Sequence, residues 1–281
     1  MSPQPGSEPP SRPKDLITES EVQLDLRDHL FLLNLSLDIQ SQLVAIREVL
    51  TRQQQASKAF GAEIDKIEAH ARKLTGVLNE RAVDEWIDRV HHSVYQDAAH
   101  SMSAVGMLAP LIESLFHECY QGIGREFFPL TAPLIPHGRW NAAHSFQWDC
   151  HFVIEANREA RKDLVCGIRQ LADATGLAPL LPKDLDKTLS ALFGYRNKMF
   201  HYGFEWPVAE RQRFTKRILS EAWPRDWFLQ ATSGEEPWIY YLSQAFIDHC
   251  LATIEQILDG FSTLVRDELV PRKGTDAANQ K

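Results

Sequence analysis

The residues best suited to chemistry lie in one short stretch, 185–202, with the sequence LDKTLSALFGYRNKMFHY. At about 100° per residue, a helix would gather most of its apolar side chains on one stripe. Those side chains are Leu185, Leu189, Leu192, Phe193, Met199 and Phe200. Arg196 falls in the middle of the same stripe, where a leucine is expected. Because a buried charge is costly unless a partner compensates it, Arg196 requires a specific role.

The neighbouring flank of this helix is small or polar along its length. Asn197 and His201 are four residues apart and share that flank with Ser190 and Gly194. A glycine inside a helix costs about 1 kcal/mol relative to alanine. Gly194 therefore predicts that another backbone or a phosphate approaches this flank closely.

Arg196, Asn197 and His201 are residue types that can cleave RNA without a metal ion. A histidine side chain exchanges its proton near neutral pH, so His201 can remove the proton of a ribose 2′-hydroxyl. The guanidinium of Arg196 can stabilise the negative charge of the phosphorane, and Asn197 can orient the imidazole or bind a phosphate oxygen. DNA lacks the hydroxyl and should resist. In the alternative interpretation, Arg196 pairs with a buried acid such as Glu113 and His201 caps a helix.

The hexapeptide RNKMFH, residues 196–201, resembles the signature of the HEPN superfamily, helical domains named for higher eukaryotes and prokaryotes nucleotide-binding. That signature is Arg, a polar residue that is often Asn, three or more further residues and His, near the end of a core helix. The resemblance covers residues 83–265. In toxin-type members a tyrosine often stands two residues after the histidine, a position that Gly203 occupies here.

The resemblance implies a helical homodimer that sets two motifs face to face and cleaves RNA without a metal or other cofactor. Other members of the superfamily only bind nucleotides or RNA, or act as scaffolds, and this alternative stays open. The usual settings of the family imply a toxin, antiviral-defence or stress role, with an antitoxin or regulatory protein as a further partner.

Four basic residues on the helix that follows could guide an RNA backbone toward this motif. They are Arg211, Arg213, Lys216 and Arg217. A solvated helix face is the alternative interpretation.

A second copy of the Arg-x4-His spacing occurs at Arg139 and His144, in the sequence RWNAAH. It follows a proline-rich segment, and a tryptophan replaces the polar second residue. Loop packing and helix capping are the favoured explanation for this copy.

Metal chemistry is not predicted from the sequence. The four cysteines, Cys119, Cys150, Cys166 and Cys250, form no CxxC pair, and a set of His91, His92 and His117 lacks an acid at ligand spacing. Reduced thiols in a cytoplasmic protein are the expected state.

Composition limits the class of protein. The 281 residues carry a net charge of −8 and 44% hydrophobic side chains. The acidic balance argues against coating long nucleic acid by charge alone, although a small basic cleft is compatible with it. No signal peptide or membrane-spanning run is evident.

The pattern along the chain predicts an all-α fold with four parts. Residues 1–18 form a disordered leader, 19–80 a helical hairpin extension, 81–265 the HEPN-like helical domain and 266–281 a polar tail. The hairpin would consist of helices over 19–56 and 60–78 and could serve as a dimerisation arm. In the domain, helices are predicted from 83, kinked or divided at Pro110, and over 147–174, 185–202, 207–222 and 238–265. Residues 128–142 and 223–237 are predicted loops.

Overall fold

The computed structural model describes residues 25–128, 135–234 and 236–272. Their fold is mostly helical, as predicted, but it also contains two short β-hairpins. The α-helices are α1 (Ile39–Ala71), α2 (Val77–Phe127), α3 (His144–Gln147), α4 (Leu164–Thr175), α5 (Leu185–Tyr202), α6 (Val208–Ser220) and α7 (Gln244–Leu264). The strands are β1 (Phe152–Ile154), β2 (Ala160–Lys162), β3 (Phe228–Ser233) and β4 (Glu236–Leu242). Short 3-10 helices cover Leu26–Leu33, Gly138–Asn141 and Ala178–Leu180.

The N-terminal helices differ from the predicted pair at 19–56 and 60–78. A 3-10 helix ends at Asn34, whose φ of 49° is left-handed, and Asp38 then caps the start of α1 by accepting a hydrogen bond from Ser41 N–H. From there α1 runs unbroken to Ala71, because residues 56–60 contain no helix-breaking side chain. The hairpin partner of α1 is α2, joined to it by a turn at Gly76. The predicted leader, 1–18, lies outside the described residues.

Helix α2 passes through Pro110 without interruption, so of the two predicted outcomes, a kink or a division, the division was wrong. Proline removes only one backbone donor, the one that would reach the carbonyl of Gly106. The rest of the 51-residue helix is held by packing: fifteen of its residues between Ala98 and Gly124 are buried. By contrast, no residue of the segment 77–97, which faces α1, is fully buried.

The core surrounds the second half of α2. Buried side chains of α2, α4, α5 and α7 form one continuous cluster, to which the 3-10 helix over Leu26–Leu33 adds Leu30 and Leu33. Helices α2 and α5 run antiparallel, since Glu113 contacts Arg196 and Gly106 faces Phe200. This pairing places the predicted motif beside the middle of α2.

The predicted helix over 147–174 was wrong in its first half, where β1 and β2 form an antiparallel hairpin. Asn157 accepts a hydrogen bond from Glu159 N–H, and Arg158 takes a φ of 71°, so the chain turns back at this point. Asp163 then caps α4 by accepting from Cys166 N–H. Local turn chemistry therefore outweighs the helical spacing of the apolar residues.

The second hairpin replaces the predicted loop at 223–237 and the predicted first turn of the last helix. Strands β3 and β4 pair from Phe228 with Leu242 to Ser233 with Glu236, around a turn in which Gly234 has a φ of 63°. Ser243 then caps α7. The C-terminal segment continues as a π-helical turn over Val265–Leu269 that buries both end residues, so the predicted polar tail begins as helix.

Helix α5 occupies its predicted bounds, and Gly203 ends it with a φ of 69°. Gly176, with a φ of 79°, ends α4. Within the described ranges, no helix combines the length and the apolar character needed to cross a membrane.

Gly167 provides a test of how tightly α4 packs on β1. A Cβ at this position would overlap the carbonyl oxygens of Cys150 and Phe152, so we expect Gly167→Ala to lower the free energy of unfolding by about 1–3 kcal/mol. Gly61→Ala in α1 is the matched control: nothing lies within 4 Å of its Cβ position, and we expect a gain of about 0.5–1 kcal/mol. Urea unfolding measures both changes, and equal effects would contradict the packing at Gly167.

Candidate functional site

A fully buried arginine organises the segment before β1. The Arg139 side chain is 0% exposed, and its guanidinium makes five hydrogen bonds of 2.5–3.0 Å. Four go to backbone carbonyl oxygens, those of Phe146, Gln147, Asp149 and Phe152, and one goes to the side chain of Gln170. Burial lowers the pKa of Arg139 to about 10, which still leaves the group charged at neutral pH. The side chain of Arg139 thus holds the bend of residues 146–152 through hydrogen bonds to the backbone of the bend.

This arrangement explains the second Arg-x4-His spacing. Arg139 is enclosed by the loop it holds, whereas His144 is exposed at the start of α3. The loop-packing explanation favoured from the sequence is therefore the one that the fold supports.

The bend carries its side chains onto one face of α2. The imidazole of His151 hydrogen bonds to Asp149 Oδ1 through Nδ1 at 2.7 Å and to Glu113 Oε1 through Nε2 at 3.1 Å. His117 lies one helical turn after Glu113, with its Nδ1 3.9 Å from Asp149 Oδ1. Burial raises the pKa of Asp149, but the hydrogen bonds from the backbone and ring of His151 lower it by more, so the pKa is below its usual value.

Arg196 joins this polar group from α5. Its Nη1 is 3.6 Å from Glu113 Oε2, and 36% of its side chain is exposed. Arg196 therefore stands at the edge of the apolar stripe, paired with the acid that the alternative interpretation named. Phe200, which was expected on the buried stripe, is 57% exposed, while Met199 is buried as predicted.

Asn197 and His201 are exposed on the last turns of α5. Among the described residues, neither side chain has a hydrogen-bond or ion-pair partner, and the ring of His201 pairs with that of Tyr202, at a centroid distance of 6.4 Å. The exposed aromatic side chains Phe200 and Tyr202 lie beside them. All three residues of the predicted motif are thus reachable from solvent.

Gly194 is approached closely, as predicted, but by a side chain of the same protein and not by the predicted backbone or phosphate. A Cβ on Gly194 would stand 2.6 Å from Arg217 Nη1. Arg217 also donates to Ser190 Oγ at 3.0 Å and to Glu221 at 2.6 Å, and it stacks over Trp223. Burial raises the pKa of Glu221, and the hydrogen bonds from Arg217 and Ser190 more than offset that effect and lower it.

The four predicted RNA-binding residues lie in different settings. Arg211 donates to the carbonyl of Pro237, and Arg213 pairs with Glu210. Arg217 is engaged at Gly194, and Lys216 is exposed. Three of the four cations therefore have partners within the chain, and Lys216 is exposed and has no hydrogen-bond or ion-pair partner among the described residues.

One group of side chains with metal-binding chemistry was missed from the sequence. His117, Asp149, Cys150 and His151 each direct a ligand atom to a common region, and these atoms lie within 4.8 Å of one another. Burial raises the pKa of the Cys150 thiol to about 12. The sequence signal for this group was the tripeptide Asp149-Cys150-His151. In the helix predicted there, successive side chains would point about 100° apart, so a shared site was not expected. Only a bend at 149–151 gathers them.

Comparisons with protein-family models, with curated proteins and with solved structures found no significant match to this chain.

Arg139 provides a direct test of the bend. Arg139→Met keeps much of the side-chain volume but leaves four backbone carbonyls without their donor, so we expect the free energy of unfolding to fall by about 3–5 kcal/mol. Arg169→Met on α4 is the control, because that side chain is 69% exposed and pairs only with Asp186; a change within about 0.5 kcal/mol is expected. A similar small effect for both variants in urea unfolding would refute the role of Arg139.

Proposed function

We propose that this protein is a metal-independent endoribonuclease of HEPN type, with Arg196, Asn197 and His201 as its catalytic residues. The observation that carries the proposal is the exposure of Asn197 and His201 at the end of α5, where neither has a partner among the described residues. An exposed, unengaged imidazole is available to a substrate, whereas a structural histidine is normally hydrogen bonded.

In the proposed reaction His201 removes the proton from a ribose 2′-hydroxyl. The 2′-oxygen attacks the adjacent phosphorus, the bond to the 5′-oxygen breaks, and a 2′,3′-cyclic phosphate and a 5′-hydroxyl result. Arg196 stabilises the negative charge of the phosphorane. The leaving oxygen takes up a proton from a general acid, which a second copy of the site would provide.

The helix geometry supports a composite site. Arg196 and His201 are five residues apart, which places them about 140° apart around α5. One chain therefore does not aim both groups at a single phosphate, but two chains related by a two-fold axis can exchange them. Exposed apolar side chains next to the motif, Phe200, Tyr202 and Val208, are compatible with such a contact.

Glu113 has a positioning role in this scheme. Its carboxylate is 3.6 Å from Arg196 Nη1 and compensates the guanidinium charge in the free protein. Arginine has five N–H donors, so the pair leaves donors free for a phosphate. Lys216 extends the basic surface on the next helix.

The Glu113 contact also favours a second candidate function, because a compensated Arg196 suits a non-catalytic module that binds RNA or nucleotides or that acts as a dimeric scaffold. A cytoplasmic setting suits either function, since all four cysteines are free. We extend the proposal to a toxin or antiviral-defence role with an antitoxin or regulatory partner.

The test is an RNA cleavage assay with purified protein, run with and without EDTA. We expect cleavage of single-stranded RNA to cyclic-phosphate ends, and no cleavage of the same sequence made of DNA. His201→Ala should reduce the rate by about 10²–10⁴-fold, and Arg196→Ala by about 10²–10³-fold. His144→Ala, an exposed histidine outside the motif, should retain full activity.

The outcomes separate the candidates. RNA binding without cleavage supports the second candidate function. If the protein neither binds nor cleaves RNA, the dimeric scaffold is the interpretation that remains. Cleavage that persists unchanged in His201→Ala and Arg196→Ala would contradict the assignment of these residues.

A further inference from the structure

The proposed ribonuclease chemistry does not use the side chains gathered at the bend before β1. They comprise two imidazoles, a carboxylate and a thiol, from His117, His151, Asp149 and Cys150. Nitrogen and sulfur donors of this kind select zinc and similar transition metals over magnesium or calcium. We propose that these four residues form a binding site for one zinc-like divalent cation.

The spacing of the donor atoms suits a four-coordinate ion. Metal–ligand bonds of about 2.0–2.3 Å put tetrahedral donors about 3.3–3.8 Å apart. Here all the donor atoms lie within 4.8 Å of one another, and His117 Nδ1 is 3.9 Å from Asp149 Oδ1. Side-chain rotations that move the donor atoms by about an ångström would bring them into this range, with His151 Nδ1 and Asp149 Oδ1 moving apart from 2.7 Å and the more distant donors moving closer.

An unsatisfied nitrogen points independently to a ligand at this place. His117 Nδ1 is buried from solvent and has no hydrogen-bond partner among the described residues. Its nearest charged neighbour, Asp149 Oδ1, is beyond hydrogen-bond reach. Buried polar atoms without a partner are uncommon, and a bound cation would satisfy this one.

Glu113 supplies the outer contact that metal-binding histidines normally make. Its Oε1 is 3.1 Å from His151 Nε2, within hydrogen-bond distance of that ring nitrogen. The other ring nitrogen of His151, Nδ1, lies 2.7 Å from Asp149 Oδ1. A bound cation would take these two atoms as ligands and replace the contact between them, while Glu113 keeps the ring oriented through Nε2.

The backbone of the bend is already held in place for this purpose. Arg139 binds the carbonyls of Asp149 and Phe152, and the carbonyl of Cys150 packs against Gly167. Because the chain is fixed on both sides of the tripeptide, little ordering remains to be done when the ion binds. Binding displaces the proton of the Cys150 thiol, so the cation, thiolate and carboxylate sum to zero charge.

With four protein ligands the site is closed, which is typical of a structural rather than a catalytic ion. The ion would join α2 to the bend and so stabilise the fold. This role is independent of RNA cleavage, and its test requires no RNA.

The experiment uses the full chain, reduced and stripped of metal with a chelator, then titrated with Co²⁺ as a spectroscopic probe and with Zn²⁺. We expect one ion per chain, a thiolate-to-cobalt absorption band and a rise in melting temperature. Cys150→Ser should abolish the thiolate band, while Cys166→Ser, which alters an exposed cysteine outside the group, should keep it. Glu113→Gln should weaken binding by roughly 10–100-fold.

A second variant, His117→Ala, keeps the proposal testable if Cys150→Ser does not fold. His117 is partly exposed, so His117→Ala should fold, as circular dichroism can verify, and yet bind Co²⁺ far more weakly than the His144→Ala control. No uptake of Co²⁺ or Zn²⁺ by the wild-type chain would overturn the proposal. The same stoichiometry and spectrum in Cys150→Ser and His117→Ala would overturn it equally, because they would show binding elsewhere on the surface.

Discussion

The buried, positively charged side chain of Arg139 determines the conformation of the candidate site. The guanidinium of Arg139 is fully buried, and its hydrogen bonds go to backbone carbonyls and one amide side chain, with no carboxylate among them. A charge in this setting is stable only while all of its acceptors stay in place. The chain from 146 to 152 must therefore keep its bend, and the bend places Asp149 and His151 against α2.

Glu113 connects the two parts of the site. One of its oxygens accepts from His151 and the other faces Arg196, so the bend and the motif on α5 share a carboxylate. The antiparallel packing of α2 and α5 makes this sharing feasible, because it holds position 113 opposite position 196. A change in either neighbour would alter the electrostatic environment of the other.

Helical spacing was enough to predict α5 over 185–202, and the pairing of Arg196 with Glu113 was named as an alternative. The two hairpins were not predicted, because their strands are short and depend on turns such as the one at Arg158, whose φ of 71° no periodicity reveals. The same error concealed the side chains with metal-binding chemistry at 149–151, because these side chains converge only if residues 149–151 are not helical. The depth of burial of Arg139 could not be predicted either, because four of its five acceptors are backbone atoms.

The central claim is that Arg139 holds the bend that builds the site, and amide hydrogen exchange tests it most directly. In wild type, His151 N–H donates to Asp149 Oδ1 and should be protected from exchange. In Arg139→Lys, which keeps the charge but loses the planar set of donors, we expect the protection of residues 149–154 to be lost while that of α1 and α2 persists. Unchanged protection of the bend in this variant would contradict the account.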